Sequence, residues 1–278
     1  MDVNRMNSPI FTIITSTYNA AATLPRLLDS LASQTCRDFN WIVQDGASSD
    51  ATMHIVEQYR DRLPEILADS SRDNGIYDAW NKAIDRWQNK MGEWVLFLGA
   101  DDRLVDACVL KRVQEKISRA DANTLFAAGD IIIYDISTEK IIKKLESKPG
   151  CFTQRFRGLP IPHTGLFTHR SLLSPFCFDA HFRIAGDYEF ILRNWKTENQ
   201  LLLLNTCITQ MGSTGISNTN STLREDFTAI KTISLYNAFR YLFIKFIENT
   251  KLQIKILLLK IPSGQNIYKI YRKLRKFD

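Results

Sequence analysis

One continuous apolar run of strand length ends in two adjacent carboxylates: Trp94-Val95-Leu96-Phe97-Leu98-Gly99-Ala100-Asp101-Asp102. Such a run is typical of a central strand in a parallel sheet that is covered on both faces. Ligands of open α/β sheets bind beyond the carboxyl ends of the strands, so the two acids are predicted to lie at a ligand site. Their hard oxygens suit Mg²⁺ or Mn²⁺ carrying a diphosphate. The alternative is a solvated turn in which Asp102 caps a helix that begins near Val105.

The composition is that of an ordinary soluble globular protein. The chain has 278 residues, of which 45% are apolar and 24% charged, enough for one large α/β domain or two smaller ones. Five separated cysteines without a Cys-x-x-Cys pair predict reduced packing residues in a cytoplasmic protein. Residues 1–9 lack an apolar core, and no uncharged apolar stretch reaches about 20 residues, so neither a signal peptide nor a membrane span is expected.

Strand-like and helix-like segments alternate along the first hundred residues. Predicted strands cover 10–16, 39–44, 65–69 and 93–98, and predicted helices cover 21–34, 49–59 and 74–87. Four such repeats indicate a parallel, Rossmann-like sheet built from right-handed crossovers. Further strands are predicted at 124–134, 140–146 and 201–207, a helix at 182–195, and helices from 221 onward. Loops are predicted at 147–162 and at 210–220, the second rich in Gly, Ser, Thr and Asn.

The loops that follow the first four strands should gather at one edge of the sheet. In chain order they are Thr17-Tyr18-Asn19, Asp45-Gly46-Ala47-Ser48-Ser49-Asp50, Ser70-Ser71-Arg72-Asp73-Asn74-Gly75 and Asp101-Asp102. A purely structural sheet needs helix caps at some of these positions, but not an acid at three of the four. The pattern therefore favours a binding site at this edge.

These loops, in order and spacing, resemble those of family 2 glycosyltransferases with the GT-A fold. The likeness covers about the first 120 residues, and the Gly-Ile-Tyr-Asp-Ala-x-Asn-Lys stretch that begins at Gly75 is similar to the bacterial branch that builds surface polysaccharides, colanic-acid-type transferases among them. It implies a mostly parallel Rossmann-like α/β sheet flanked by helices, with a helical C-terminal extension. Residues 1–120 would be the donor-binding half, 121–220 the acceptor-binding half of the same domain, and 221–278 a basic amphipathic helical tail.

The resemblance assigns the nucleotide to the first two loops. Thr17 and Tyr18 would line the pocket for the base, with the tyrosine ring offering a stacking face, and Asn19 belongs to the same donor-binding set. Asp45 would accept a hydrogen bond from the base imide. Gly46 would allow the tight turn that this geometry needs.

The third and fourth loops would contact the rest of the donor. The resemblance places Asp73 near the base and ribose, lets the backbone approach the donor at Gly75, and turns Asp101 toward the ribose or the transferred sugar. Arg72 would neutralise a phosphate, the alternative being an ordinary surface arginine. Asp102 would hold the divalent metal, Mg²⁺ or Mn²⁺, between the two phosphates.

The metal motif departs from the family pattern. The family's Asp-x-Asp reads Ala100-Asp101-Asp102 here, so the first acid is missing. Because Mg²⁺ is commonly held by one or two carboxylates together with substrate phosphates, a single protein ligand is sufficient.

Glycosyl transfer also needs a base that takes the proton of the acceptor hydroxyl. The family position corresponds to Asp187, although this chain has Gly186 where relatives often carry Glu. The alternative reading of Asp187 is a helix N-cap, and Glu189 is the reserve candidate. His163, between Pro162 and a nearby glycine, could contact donor or acceptor, or be an ordinary loop histidine.

The positive charge is concentrated in the tail. Residues 240–278 carry ten Lys or Arg against two acids, whereas the whole chain has a net charge of +6, so the remainder is slightly acidic. Apolar and basic residues interleave over 240–276, which suits the anionic inner face of the cell membrane. The alternative is a helix packed on the domain with a solvated basic face. Without a recognised motif, nucleic acid is not an expected partner.

The sequence and the resemblance together predict an inverting, metal-dependent glycosyltransferase. It would transfer a sugar from a nucleotide-diphosphate donor, which the resemblance implies is a UDP-sugar, to a hydroxyl of a lipid-linked glycan. The expected location is cytoplasmic, peripheral at the inner face of the membrane. Two alternatives stay open: a non-catalytic module that binds sugar nucleotides, and a sugar-nucleotidyltransferase, for which the loop after the first strand lacks the Gly-rich basic pattern.

Overall fold

The computed structural model describes residues 8–157, 161–213 and 220–260. Its strands are β1 Phe11–Thr17, β2 Phe39–Asp45, β3 Ile66–Ser70, β4 Trp94–Phe97, β5 Arg103–Leu104, β6 Phe126–Tyr134, β7 Ile141–Leu145, β8 Leu166–His169 and β9 Leu201–Gly212. Its helices are α1 Leu24–Ala32, α2 Thr52–Gln58, α3 Ile76–Trp87, α4 Val109–Ile117, α5 Cys151–Gln154, α6 Gly186–Asn194, α7 Asn220–Ile233 and α8 Leu235–Lys260.

All nine strands belong to one sheet. Its order is β3-β2-β1-β4-β8-β6-β9-β5, with β7 added to β6. The first four strands are parallel, and Phe11 is paired with both Phe39 and Trp94. Strand β8 runs antiparallel to β4 and β6, whereas β6 and β9 are parallel. The predicted α/β class with a Rossmann-like parallel half is confirmed.

Alternating side chains of the central strands face two helical layers. Ile13 packs with the apolar side chains of α1, α2 and α4. The next residue, Ile14, packs on the opposite face with α3, α6, α7 and α8. Strand β4 is buried along its whole length, as its unbroken apolar sequence predicts for a strand covered on both sides.

The structure corrects several local predictions. The helix expected near Val105 begins at Val109 with Cys108 before it, so the interpretation of Asp102 as its cap is wrong. Strands β5 and β8 were not predicted, since two and four residues are too few to show a period. Strand β9 extends to Gly212, into part of the predicted loop at 210–220, and residues 214–219 of that loop lie outside the described residues.

The C-terminal helices begin as part of the core. Ala229, Ile230, Ala238 and Tyr241 are buried in the same cluster as α3 and α6. Residues 261–278 of the predicted basic tail lie outside the described residues. No helix within the described ranges combines the length and apolarity that a membrane span requires. The division at 120 and 220 stays a prediction, although one sheet joins the first two segments.

Candidate active site

Asp45 connects the carboxyl ends of three neighbouring strands. Its carboxylate is fully buried at the end of β2. Oδ1 accepts hydrogen bonds from the hydroxyls of Thr17, at 2.9 Å, and Ser48. Oδ2 accepts from the Ser48 backbone N–H at 2.8 Å and from the Ser70 hydroxyl at 2.7 Å. Residues from the first three predicted loops therefore meet at one point.

These hydrogen bonds keep Asp45 ionised. Burial by itself would raise the pKa of Asp45, but the bonds from Ser48, Ser70 and Thr17 outweigh it and hold the pKa below its ordinary value. Both carboxylate oxygens are thus engaged by the protein. Asp45 therefore holds the ends of the three strands together at this edge of the sheet. Its predicted contact with a base imide stays a prediction, and it requires one of the hydroxyls that now donate to Asp45 to rotate away from the carboxylate.

Gly46 lies where the first and third loops approach each other. A Cβ at this position would come within 2.7 Å of Asp73 Oδ2 and 3.4 Å of the Tyr18 ring. The backbone of Gly46 does not have a positive φ, unlike the next residue, Ala47, with φ 62°. The close approach of Asp73 is therefore a reason why this residue must be small, and the tight turn expected from the sequence stays a prediction. The Tyr18 side chain is 70% exposed, so its ring face is free to stack.

The other predicted donor-binding residues surround this point. Asn19, with φ 48°, accepts a hydrogen bond from the Ser49 N–H at 3.0 Å and links the first two loops. Gly75 has φ 122° immediately before α3, a conformation that favours glycine. Its N–H donates to Asp73 at 2.9 Å, and Arg72 is exposed beside it.

Asp102 is the buried acid of the fourth loop. Only 2% of the residue is exposed. Its Oδ2 accepts the Gly99 N–H at 2.7 Å, whereas its Oδ1 has no hydrogen-bond partner within the described residues. Asp101 is held next to it, with its carbonyl accepting the Tyr134 hydroxyl at 3.0 Å. A Cβ on Gly212 would lie 2.6 Å from Asp101 Oδ2, so the end of β9 reaches the same loop.

The environment of Asp102 fits a divalent cation. Burial, together with the charge of Asp101, raises the pKa of Asp102 to about 8. An ion bound there would satisfy the unpartnered oxygen and displace the proton. Within the described ranges no cluster of three or more His, Cys, Asp or Glu side chains could hold a metal. Asp102 would therefore share Mg²⁺ or Mn²⁺ with oxygens of the ligand, as the short motif predicts.

Asp187 lies in the first turn of α6 and contacts α3. Its Oδ1 accepts the Tyr77 hydroxyl at 3.2 Å and the Tyr188 N–H at 2.8 Å. The single Tyr77 hydroxyl proton is shared with the Ile184 carbonyl, which is nearer at 2.6 Å. Burial, with the charge of Asp187, raises the pKa of Tyr77 far above the ordinary value. Tyr77 is thus a permanent donor. Because it follows Gly75 closely in sequence, it links Asp187 to the third loop.

The unexpected glycine before Asp187 has a packing reason. A Cβ on Gly186 would lie 2.7–2.9 Å from three atoms of the Tyr77 ring. Glutamate, the residue that relatives often carry there, would collide with this ring. Glu189, the reserve candidate, is buried, and both of its oxygens are engaged by Arg193, at 2.8 and 3.2 Å. The role of Asp187 as the base stays a prediction.

His163 lies beneath the site rather than on its surface. It is 8% exposed and stacks against both Trp80 and Phe97, with ring centroids 5.1 and 5.4 Å away. Burial lowers the pKa of His163, and the charge of Asp187 opposes that shift. His163 and Asp187 therefore interact electrostatically. A direct contact of His163 with donor or acceptor stays a prediction.

Several residues of the site had no predicted role. Tyr77, Ser48 and Ser70 occur in quoted loops or motifs, but their roles depend on which side chain reaches which across strands. Tyr134 and Gly212 reach the acidic loop from β6 and β9. Ser48 is close in sequence to Asp45, but the other four residues lie 25 to 111 positions from the acids they contact, so no local pattern marks them.

Comparison with known proteins identifies the family. The model of glycosyl transferase family 2 matches residues 12–181, which includes all four loops and His163. This chain is a member of glycosyl transferase family 2. A mycobacterial relative, the PGL/p-HBAD biosynthesis glycosyltransferase of Mycobacterium bovis, is 33% identical over 195 residues, covering 68% of this chain and 70% of the relative. The expected enzyme class, a glycosyltransferase of EC 2.4, is confirmed.

Solved structures show the same fold in other glycosyltransferases. Staphylococcus aureus TarS 1-349, in complex with UDP-GlcNAc, matches with a TM-score of 0.60 and 20% identity, covering 80% of this chain and 65% of that one. The mannosyltransferase PcManGT from Pyrobaculum calidifontis, in complex with GDP-Man and Mn²⁺, matches with a TM-score of 0.56 and 18% identity over 81% of this chain and 63% of that one. This glycosyltransferase therefore has the GT-A fold, and it spans about two thirds of those chains.

Proposed function

We propose that this chain is an inverting, metal-dependent glycosyltransferase that transfers a sugar from a UDP-sugar to a hydroxyl of a lipid-linked glycan during assembly of a bacterial surface polysaccharide. The observation that carries the proposal is the unpartnered, buried oxygen of Asp102 at the same sheet edge as the donor loops. The names of the relatives support it: TarS was solved with UDP-GlcNAc and the archaeal mannosyltransferase with Mn²⁺.

The donor would lie along the carboxyl ends of the parallel strands. The exposed ring of Tyr18 offers a stacking face for the base, and Asp73 lies beside it at Gly46. Asp102 would hold Mg²⁺ or Mn²⁺, whose charge offsets that of the leaving nucleoside diphosphate. Asp101 would face the ribose or the transferred sugar.

Asp187 would accept the proton of the acceptor hydroxyl. Its Oδ1 is oriented by Tyr77 and the Tyr188 N–H, which leaves Oδ2 for that proton. As the acceptor oxygen forms its bond to the anomeric carbon, the bond from that carbon to the diphosphate oxygen breaks, and the nucleoside diphosphate leaves with the electron pair. Attack from the face opposite the leaving group inverts the anomeric centre, which is the outcome that the family resemblance implies.

A thermal-shift screen of UDP-, GDP- and dTDP-sugars, with and without Mn²⁺, tests the donor class. A UDP-sugar at about 100 times its Kd should stabilise the protein by about 2.7 kcal/mol, which corresponds to a rise in Tm of about 5 °C or more. The rise should be larger with Mn²⁺. A response to GDP-sugars alone would contradict the UDP assignment. Stabilisation without release of free nucleotide in the presence of acceptor lipids would favour the non-catalytic alternative.

We also propose that residues 240–276 contact the anionic inner face of the membrane, where a lipid-linked acceptor would lie. In the described part of this segment α8 exposes Phe243 and Phe246, following Tyr236 and Phe239 at helical spacing. Aromatic side chains between basic residues suit the interface of an anionic bilayer.

Vesicle sedimentation tests this contact. The protein should bind vesicles that contain phosphatidylglycerol and not those of phosphatidylcholine alone, and salt should weaken the binding. Replacing Phe243 and Phe246 by serine should weaken it by about tenfold or more, because each ring contributes on the order of 1 kcal/mol when it enters the interface. Equal sedimentation with both kinds of vesicle would contradict an electrostatic contact.

A further inference from the structure

Helices α7 and α8 form a C-terminal hairpin. A carboxylate from this hairpin accepts hydrogen bonds from the backbone just before α6. Glu225, in α7, receives the N–H groups of Ile184 at 2.7 Å and Ala185 at 2.9 Å on its Oε2. The Arg183 N–H lies 3.1 and 3.2 Å from its two oxygens. Three consecutive N–H groups, from residues 41 positions away on average, thus converge on one side chain.

This contact lies at the entrance to α6, because the N–H groups it engages belong to Ala185, the residue just before the helix, and to the two residues that precede Ala185. Ala185, which precedes the helix, has no side chain able to accept a hydrogen bond. The first N–H groups of a helix have no partner within the helix, and they favour a negative charge. Glu225 supplies that charge, and hydrogen bonds to an ionised acceptor are stronger than neutral ones. The backbone that immediately precedes Asp187 is therefore fixed by a residue of another helix.

The hairpin itself is held firmly in place. Ala229 and Ile230, one turn beyond Glu225, are fully buried. The Tyr241 hydroxyl of α8 donates to Asp226 at 2.7 Å, which joins the two helices of the hairpin. The buried residues of α7 thus fix the position of Glu225. Through its hydrogen bonds, Glu225 in turn fixes the backbone that leads into α6.

We propose that Glu225 is a positioning residue for the acceptor-activating Asp187. The proposal rests on the role of Asp187 proposed above. Glu225 fixes the backbone of 183–185, and the Tyr77 hydroxyl contacts both the Ile184 carbonyl and the Asp187 carboxylate. The C-terminal hairpin is then part of the acceptor half of the active site.

Steady-state kinetics of Glu225→Ala and Glu225→Gln test the proposal. A displacement of a reacting group by about 1 Å can lower a rate by about 10²-fold, so Glu225→Ala should lower kcat by about 10- to 100-fold without changing the KM for the donor. Glu225→Gln should recover part of that loss, because one amide oxygen can take the place of Oε2. Glu115→Gln is the matched control: Glu115 is an exposed glutamate on α4, which packs in the other helical layer and has no proposed role in binding.

Each result bears on the proposal. Parent kcat in folded Glu225→Ala, or a donor KM that rises as much as kcat falls, would overturn it. If Glu225→Ala does not fold, Glu225→Asp takes its place. Aspartate keeps the charge, but its shorter side chain moves the carboxylate away from the N–H groups of residues 183–185. A kcat equal to that of the parent in this variant would also overturn the proposal. If Asp187→Asn is fully active, both roles fail; if it is inactive while the Glu225 variants match the parent, only the role of Glu225 fails.

Discussion

Asp187→Asn is expected to lower kcat by about 10²- to 10⁴-fold, the usual contribution of a general base. An asparagine can still accept the Tyr77 hydroxyl and the Tyr188 N–H that bond to the Asp187 carboxylate, so the geometry of α6 is retained while the basic oxygen is lost. The donor is assigned to the loops after β1 to β4, so its affinity should not change. Transfer to an acceptor glycan and a thermal shift with the donor measure the two properties separately.

Glu189→Gln is the control for Asp187→Asn. Glu189 lies two residues further along the same helix, and its carboxylate is occupied by Arg193 through hydrogen bonds of 2.8 and 3.2 Å. Breaking this partly buried pair should lower Tm, but kcat below the melting range should stay at the parent value. The reverse pattern, an active Asp187→Asn and an inactive Glu189→Gln, would move the base to Glu189.

The parallel half of the fold could be predicted because each of its elements carries its own signal. Helix α1 buries Leu24, Leu27, Leu28 and Leu31 at helical spacing, and β4 is apolar throughout. Once the strands are known to be parallel, the loops at their carboxyl ends must share one edge. The short strands β5 and β8 carry no such signal, because their position in the sheet depends on partner residues 38 to 107 positions away.

The candidate site divides in the same way. The sequence shows that β2 ends in an acid, Asp45. It does not show that the carboxylate of Asp45 accepts hydrogen bonds from Thr17, Ser48 and Ser70. Gly46 could be predicted from the need for a turn, but the close approach of Asp73, which also requires a glycine there, is not visible in the sequence. Glu225 carries no sequence signal at all, since a glutamate on a helix is ordinarily a solvated residue.

Asp102→Asn is expected to abolish the metal-dependent part of donor binding. The amide oxygen can keep the hydrogen bond from the Gly99 N–H, so the loop stays in place, whereas the charge that would hold the cation is removed. Stabilisation of a leaving group by a metal is worth several kcal/mol, so kcat/KM should fall by about 10²-fold or more. Titration of a UDP-sugar with and without Mn²⁺ measures the change in binding.

The pH dependence of binding separates this role from a structural one. Because burial and Asp101 raise the pKa of Asp102 to about 8, a cation must displace a proton at neutral pH. The Mn²⁺-dependent affinity of the parent protein should therefore rise with pH and level off above about pH 8. Asp102→Asn should show no such rise, and Asp106→Asn, which removes an exposed acid paired with Arg112, should keep it. Asp102 is the buried acid of this loop with an unpartnered oxygen in the described residues. A Mn²⁺ response in Asp102→Asn equal to that of the parent would therefore show that the metal is not held by this loop.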